Sequence, residues 1–392
     1  MPRGGMSPSI RTYFRFFNGT QRKSSPIGPA LSRGTTQCGP GTMALHNPKG
    51  SGCTRLRIRK MGIVVRGDGI AAHCCAQLLG AAGFEVTAEK TGRPGVPAIM
   101  LSARTQRLIC DVLKREDLFR GLPRVDARIV KWGAGAQPRR LDHSSIVVSE
   151  RELLEPLKSG GAGGEPNRDC KHGWTVLASR PLPVPSVEHR FGSRVAAVIV
   201  VDLTEQSETS VCWIESLKCG WLFLLPGTAK KGWLLAVGGA HASLLAESRL
   251  VAEQIQSVGR VAGQFPAYPG MAVPFCGPSW LACGSAALAF DPLCGDGTGN
   301  AIREAILAAA VIRAREGGEP EEELLEHYRG RLLAGFSRHL QLCRDFYAAG
   351  HRGPWWDAEL ELINRGIDYC AGELRNAPPF RYRLQGYELL AV

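Results

Sequence analysis

A glycine-rich turn is the first group of residues in the sequence that could do chemistry. Gly67, Gly69 and Ala72 have the spacing G-x-G-x-x-A and stand between the apolar run "MGIVV" and a helical pattern. The first glycine permits a tight turn, the second lets the backbone approach a pyrophosphate, and the small third residue lets helix and strand pack closely. Glu89 ends the next strand, where a carboxylate can accept hydrogen bonds from a ribose diol. The pattern predicts a dinucleotide-binding turn, with a purely structural strand–helix turn as its alternative.

A second glycine-rich segment, "GSAALAFDPLCGDGTGN", runs over Gly284–Asn300. It resembles the second FAD motif of the flavin monooxygenases and flavin-dependent halogenases, commonly written G-D-A-A followed by D/x-P-x-x-G-x-G. The residues at the family spacing are Gly284, Ala286, Ala287, Pro292, Gly295 and Gly297, and the pair Asp291–Pro292 is similar to the halogenase version. A helix that follows the motif can turn its N–H groups toward a reduced flavin and stabilise negative charge there.

The resemblance implies FAD as the cofactor and a set of residues that hold it. Those residues are Gly67, Gly69, Ala72, Glu89, Arg151, Ser285, Asp291, Pro292, Gly295 and Gly297. Arg151 is the best match to the R-x-x-L-D/E helix of the family, and Ser285 stands where the family usually has an aspartate. No lysine lies between Lys90 and Lys114, and none matches the catalytic lysine of the halogenases. No catalytic residue is therefore assigned, and no metal is expected.

The elements that must position these residues begin with a strand, a helix from Ile70 and the strand "FEVTAEK", which together predict a βαβ unit and a parallel sheet. The segment "PAIMLSARTQRLICDVL" suggests a helix, and clustered β-rich segments after residue 170 suggest an antiparallel layer. The predicted fold class is α/β: a Rossmann-like FAD-binding domain with a parallel sheet, an inserted and mainly antiparallel β substrate domain, and C-terminal helices. The expected boundaries are 56–160 and 275–318 for the FAD-binding domain, 161–274 for the substrate domain and 319–392 for the helical region.

The net charge of +12 comes almost entirely from the N-terminal 60 residues. This stretch holds 11 of the 48 basic residues and none of the 36 acidic ones, so the remainder is nearly neutral and no nucleic-acid partner is expected. Residues 1–55 are predicted to be a disordered basic extension, either a transit segment or the product of a misassigned start. The 13 cysteines include no C-x-x-C pair, which favours a reducing, cytoplasmic compartment with free thiols. No apolar run is long enough to span a membrane.

Other candidate residues have simpler interpretations. Glu188–His189 could act as an acid–base group, although a structural histidine is the favoured reading. Trp280 and the pair Trp355–Trp356 could line a substrate cavity, but aromatic packing in the core is favoured. The segment "GWLFLLP" is a loose match to a halogenase segment and equally a central apolar strand.

The resemblance implies an FAD-dependent monooxygenase that inserts oxygen into an aromatic or apolar substrate with reduced flavin and O₂. Three alternatives are a flavin-dependent reductase of the geranylgeranyl-reductase type, a flavoprotein maturation factor that modifies a partner protein, and a flavin- or nucleotide-binding regulatory protein without turnover. The sequence has no second strand-embedded G-x-G-x-x-G, so electrons are expected from transiently bound NAD(P)H or from a separate flavin reductase. The expected partners are a small-molecule or protein substrate and, if electrons do not come from NAD(P)H directly, a separate flavin reductase.

Overall fold

The computed structural model describes residues 62–158 and 172–392. The expectation of a disordered extension over residues 1–55 lies outside the described residues. The strands, numbered β1 to β18, are Gly62–Arg66, Glu85–Glu89, Ile99–Ser102, Arg124–Lys131, Arg139–Val148, His172–Leu177, Val187–Arg190, Val195–Leu203, Val211–Leu217, Gly220–Pro226, Lys231–Gly238, Ile255–Pro266, Gly270–Val273, Cys276–Gly277, Trp280–Ala282, Leu288–Ala289, Tyr382–Gln385 and Glu388–Ala391. The helices, numbered α1 to α7, are Ile70–Ala81, Ala103–Leu113, Glu150–Lys158, His241–Glu247, Gly297–Glu316, Glu321–Ala348 and Pro354–Arg375.

A five-stranded sheet carries the first glycine-rich turn, in the order β14-β15-β6-β1-β2. Strand β1 pairs in parallel with β2 and with β6, and β15 runs parallel to β6. Only β14, at the edge, is antiparallel to its neighbour. The predicted βαβ unit and the Rossmann-like parallel sheet are therefore confirmed.

The largest sheet has eight strands in the order β12-β8-β11-β10-β9-β4-β5-β3, and all its neighbours are antiparallel except β4 and β9. Its central strand β10 contains "GWLFLLP", and every residue of it is buried. Because successive side chains of a strand point to opposite faces, Trp221 and Phe223 enter the main core while Leu222 and Leu224 enter a second core. Helix α4 contributes Leu244 to that second core.

The chain passes between the five-stranded and the eight-stranded sheet more often than the expected domain boundaries imply. Strand β6, assigned to the substrate domain by the expected boundaries, lies inside the parallel sheet next to β1. Strands β3, β4 and β5, assigned to the FAD-binding domain, belong to the eight-stranded sheet. The segment expected to be one helix also divides, since Ile99–Ser102 forms β3 before α2 begins at Ala103. The residues Ile99–Ser102 form a strand because they pair with β5 at the edge of the sheet. The residue types alone do not distinguish a short apolar strand from the start of a helix.

The C-terminal part contains the expected helices and ends in the β17–β18 hairpin. Helix α5 is buried on almost every side from Ile302 to Ile312 and packs on α1, where the thiol of Cys75 donates to the carbonyl of Ala305 at 3.4 Å. Among the described residues, no disulfide joins any two of the ten cysteines. Within the same residues, no helix combines the length and the apolar character that a membrane span requires.

Candidate functional site

The two glycine-rich segments meet at one edge of the parallel sheet. Strands β1, β6 and β15 run in the same direction, so their carboxyl ends lie side by side. The amide of Ala178 donates to the carbonyl of Arg66 at 2.8 Å, and the amide of Cys283 donates to the carbonyl of Leu177 at 2.9 Å. The edge where parallel strands end is where α/β folds bind their ligands. Residues 217 positions apart in sequence, at Gly67 and Gly284, are thus brought to one site.

Gly67 occupies a position where any side chain would be strained. Its φ is +145°, and a Cβ there would lie 3.0 Å from the hydroxyl oxygen of Ser179 and 3.1 Å from the Cβ of Ala178. Its amide donates to the carbonyl of Glu89 at 2.8 Å, which ties the turn to the end of β2. The neighbouring Ser179 hydroxyl is buried and has no hydrogen-bond partner in the structure.

Gly69 is the residue from which α1 begins, and an arginine lies over it. A Cβ on Gly69 would stand 2.6 Å from a terminal guanidinium nitrogen of Arg93. Arg93 in turn forms an ion pair with the buried Glu150, whose carboxylate also accepts the amide of Val96 at 2.9 Å. The guanidinium of Arg93 therefore lies close to the N-terminal N–H groups of α1, and both favour a negatively charged ligand. Ala72 is buried on the same helix, as the close packing of helix and strand requires.

The second segment reaches the same edge through Gly284 and Ser285. Gly284 has a φ of +57°, and a Cβ there would lie 2.9 Å from the Cβ of Ala71 in the first turn of α1. The exposed Ser285 donates its hydroxyl to the carbonyl of Ala178 at 3.2 Å. The amide of Gly284 donates to a carboxyl oxygen of the buried Glu304 at 2.7 Å, and the second oxygen of that group has no partner. Burial raises the pKa of Glu304 to about 8, although the Gly284 amide lowers it.

Asp291, which was predicted to contact the cofactor, points into the protein interior. Its side chain is buried and accepts hydrogen bonds from Arg194 Nε at 2.8 Å and from Tyr347 at 3.0 Å. The other carboxyl oxygen accepts the amide of Leu293 at 2.8 Å and so caps a short 3₁₀ turn. Both oxygens are occupied within the protein, and the carboxylate acts as an internal anchor for the motif.

The remaining motif residues shape the turn that leads into α5. Pro292 opens the 3₁₀ turn and Gly295 ends it with a φ of +68°. Asp296 then precedes α5, and its carboxylate accepts from Thr105 Oγ1 at 2.9 Å and from Arg303 at 2.7 Å. The first turn of α5 is thus already covered by an acidic side chain, which is itself neutralised by Arg303.

A cavity of about 920 Å³ opens beside this turn, and Gly297 lines it. Its apolar wall includes Phe290, Leu332 and Phe336. Its polar lining is mainly cationic and comprises Arg104, Arg107, Arg303, Arg331 and Arg338, against Asp142, Asp296 and Glu304. His143 also lines the cavity, and burial together with the adjacent Arg128 lowers its pKa to about 3. The volume falls in the range of small-molecule and cofactor sites.

The other predicted residues lie at the surface or in the core. Glu89 and Arg151 are exposed, at the end of β2 and in the first turn of α3, and neither lines the cavity. His189 packs on the ring of Tyr369, with 4.4 Å between the ring centroids, while Glu188 forms ion pairs with Arg180 and Arg190. Both are outside the cavity lining, which agrees with a structural role. Trp280 and Trp356 are buried in the main core, as the packing interpretation expects.

Several residues of the site were not predicted from the sequence. Arg93, Ser179 and Glu304 lie outside both motifs, and only the folded chain brings them to the motif residues. Asp296 offered a signal, since it stands between Gly295 and Gly297 at the start of a predicted helix. An acidic residue at that position is favoured by the helix dipole, and it could have been identified.

Solved structures that share this architecture include a peptidyl tryptophan dihydroxylase and two halogenases described as flavin- or FAD-dependent. The peptidyl tryptophan dihydroxylase QhpG, essential for tryptophylquinone cofactor biogenesis, matches with a TM-score of 0.60 at 21% identity, over 76% of this chain and 78% of that one. The flavin-dependent halogenase CmlS matches with a TM-score of 0.62 at 15% identity, over 84% and 75% of the two chains. The myxobacterial chondrochloren halogenase CndH matches with a TM-score of 0.58 at 17% identity, over 82% and 92%. No protein-family model and no curated protein sequence matches the chain.

The chain has the fold of the flavin-dependent halogenases. The parallel sheet, the antiparallel-rich sheet and the C-terminal helices all agree with this assignment. The halogenase fold also accounts for the position of the two glycine-rich segments, which it brings together around Ala178. Identities of this size establish architecture, so the activity has to be argued from the residues of the site.

Proposed function

We propose that this protein is an FAD-dependent monooxygenase, which inserts oxygen into an aromatic or apolar substrate. The observation that carries the proposal is the meeting of the two glycine-rich segments at the carboxyl edge of the parallel sheet, next to a cavity of about 920 Å³. Either segment alone would be compatible with a structural turn. Their convergence on Ala178, with Gly67 on one side and Ser285 on the other, supports a single dinucleotide site.

The residues of the site fit FAD. Gly67, Gly69 and the first N–H groups of α1 would hold the diphosphate, with the guanidinium of Arg93 as a counter-charge. The unpartnered Ser179 hydroxyl beside Gly67 is a buried polar group that a ligand oxygen would satisfy. Glu89 would accept hydrogen bonds from the ribose, and Ser285 with Gly297 would face the ring end of the cofactor.

Reduced FAD supplies the activation of O₂ in enzymes of this fold. The protein's own contribution is to position and enclose the substrate, and the wall of Phe290, Leu332 and Phe336 would exclude water from an aromatic ring. Arg303 is paired with Asp296, so the two charges offset each other at the start of α5. Among the described residues that line the cavity there is no lysine, so a halogenase-type lysine has no counterpart there. This favours hydroxylation over halogenation.

The first experiment is an absorbance spectrum of the purified chain after FAD is added and free FAD is removed. Gly69→Val is the informative variant, because its Cβ would crowd only side-chain ends, the guanidinium of Arg93 at 2.6 Å and a carboxyl oxygen of Glu150 at 3.5 Å, so the fold should survive. Gly67→Val is less useful, since its positive φ and its contact with Ala178 would strain the backbone. We expect wild type to retain flavin and Gly69→Val to lose at least about tenfold in affinity, or ~1.4 kcal/mol.

Gly80→Val is the matched control, because Gly80 lies on the same helix and a Cβ there meets nothing within 4 Å. Equal flavin binding by all three proteins, or none by wild type, would reject the flavin site. With flavin established, substrate-dependent uptake of O₂ separates a monooxygenase from a reductase of the geranylgeranyl-reductase type. The electron donor in that assay is either NAD(P)H alone or NADH with a separate flavin reductase, and the comparison of the two identifies the natural supply.

A second candidate is a maturation factor that hydroxylates a residue of a partner protein. The likeness to QhpG, a peptidyl tryptophan dihydroxylase, favours it. The exposed Arg104, Arg107 and Arg338 at the cavity are also suited to an acidic peptide segment that carries an aromatic side chain into the apolar part. O₂ uptake driven by tryptophan-containing acidic peptides, and not by free aromatic compounds, would select this function.

A further inference from the structure

Two cysteines and a histidine, which are side chains that can bind a metal, come together in the wall of the cavity. Cys294 lies in the 3₁₀ turn before α5, and His339 and Cys343 lie one turn apart on α6. The ligand atoms of all three are within 4.8 Å of one another, and all three residues are buried. The spacing of four positions places His339 and Cys343 on one face of the helix. The cluster escapes a search of the sequence because its third member is 45 positions away and no C-x-x-C pair marks it.

The distances between these atoms are close to those of a tetrahedral metal centre. Cys294 Sγ and Cys343 Sγ are 3.4 Å apart, and Cys343 Sγ is 3.3 Å from His339 Nε2. A tetrahedral Zn²⁺ with ordinary bond lengths requires sulfur–sulfur separations of about 3.8 Å and sulfur–nitrogen separations of about 3.6 Å. These two separations differ from the tetrahedral values by a few tenths of an ångström, and all three ligand atoms lie within 4.8 Å of one another.

The charges around the cluster favour a cation. Two thiolates, one neutral imidazole and one divalent ion have no net charge, which suits a buried position. Next to the cluster, Arg194 is buried with two carboxylates, Asp291 and Glu359, so that this neighbouring group carries one excess negative charge. The two groups are in direct contact, since the amide of Asp291 donates to His339 Nε2 at 3.0 Å.

We propose that Cys294, His339 and Cys343 bind a divalent metal ion, with Zn²⁺ as the natural occupant. Cys294 and His339 line the cavity while Cys343 lies behind them, so the fourth ligand position opens toward the cavity. An open fourth position is typical of catalytic rather than structural zinc sites. It would be occupied by water or by an oxygen or nitrogen atom of the substrate.

Metal binding displaces one hydrogen bond. The lone pair of His339 Nε2 that accepts the Asp291 amide is the one that a metal would take. One neutral hydrogen bond is much weaker than coordination by two thiolates and an imidazole, so the exchange favours the metal.

The test measures metal in the wild-type protein and its ligand variants, independently of flavin. The protein is stripped with a chelator under reducing conditions, loaded with Zn²⁺, passed through gel filtration and analysed for metal. A parallel sample is titrated with Co²⁺, because cobalt bound to thiolates has strong charge-transfer absorption and tetrahedral cobalt has characteristic visible bands. We expect one Zn²⁺ per chain and a cobalt spectrum typical of two thiolates in tetrahedral coordination.

Cys294→Ser and His339→Gln should each lower the affinity for Zn²⁺ by at least about a hundredfold. Cys370→Ser is the matched control, because Cys370 is also fully buried and lies outside the cluster. Circular dichroism of each variant verifies the fold, and the wild-type cobalt spectrum stands even where a variant unfolds. The proposal is overturned if the loaded wild type retains no metal, if Cys370→Ser loses as much as Cys294→Ser, or if peptide mapping of the native protein finds a Cys294–Cys343 disulfide.

Discussion

Glu304 is a carboxyl group held in the apolar middle of helix α5. One of its oxygens accepts the Gly284 amide at 2.7 Å, and the other lacks a partner. A charged carboxylate in such a place would lose its hydration without adequate compensation, so the protonated form is favoured. The resulting pKa of about 8 places this proton within the physiological range, next to a segment that resembles the flavin-binding motif.

The raised pKa of Glu304 has a definite sign in the pH dependence of stability. Between the unperturbed value of 4.5 and about 8, the folded protein binds more protons than the unfolded chain. The stabilisation is complete below the lower value, declines as the pH rises and is lost above the upper one. We expect Glu304→Gln, which keeps an acceptor for Gly284, to unfold with a smaller dependence on pH between 5 and 8, measured by urea denaturation at several pH values. An unchanged slope in the variant would place the titrating group elsewhere.

At the scale of elements, Arg194 links three parts of the chain. Its guanidinium bonds Asp291 in the second glycine-rich segment and Glu359 on α7, while it stands itself just before β8. The ring of Tyr347, on α6, lies 4.4 Å from the guanidinium carbon. All of these side chains are buried, so the position of the segment depends on the arginine.

Removal of the arginine should therefore be far more damaging than loss of an ordinary ion pair. Arg194→Met leaves two carboxylates buried without a counter-charge, which costs about 3–5 kcal/mol of unfolding free energy. The control is Arg140→Met, which removes an exposed pair with Glu208 that water screens, so its loss should hardly change stability. Denaturant unfolding of both variants gives the comparison. Similar losses would show that Arg194 is not the anchor; a partial recovery on adding Asp291→Asn and Glu359→Gln would support it.

The sequence predicts elements well where the pattern is local. The turn at Gly67 and helix α1 follow from spacing and composition, and they lie where expected. Strand β3 was missed because four apolar residues before a helix have no period of their own, and pairing with β5 defines them. The true partners of Asp291 could not be predicted either, since Arg194 and Tyr347 are 97 and 56 positions away and only packing brings them together.

At the scale of the whole molecule, the cavity combines an apolar interior with a cationic rim. Arg104, Arg107 and Arg338 are exposed at its lining, and Phe336 and Leu332 are buried. Outside the N-terminal 60 residues the chain is nearly neutral, so this positive region is local and not a consequence of overall charge. Local charge of one sign around a cleft attracts ligands of the opposite sign. The cavity is therefore suited to an aromatic ligand with an acidic group.

This preference can be measured before the substrate is known, with anilinonaphthalene sulfonate as an anionic aromatic probe and N-phenylnaphthylamine as its uncharged counterpart. Arg104 and Arg107 lie three positions apart on α2, so Arg104→Gln with Arg107→Gln removes charge from one side of the rim. We expect fluorescence titration to show about tenfold weaker binding of the anionic probe, or ~1.4 kcal/mol, and little change for the uncharged one.

Salt should weaken anionic binding to wild type more than to the double variant, because the Debye length falls below about 10 Å above 0.1 M. Arg140→Gln, which is outside the cavity lining, should behave as wild type. Equal losses for both probes would mean that the substitutions distort the cavity, and no loss for either would mean that the rim does not select for charge.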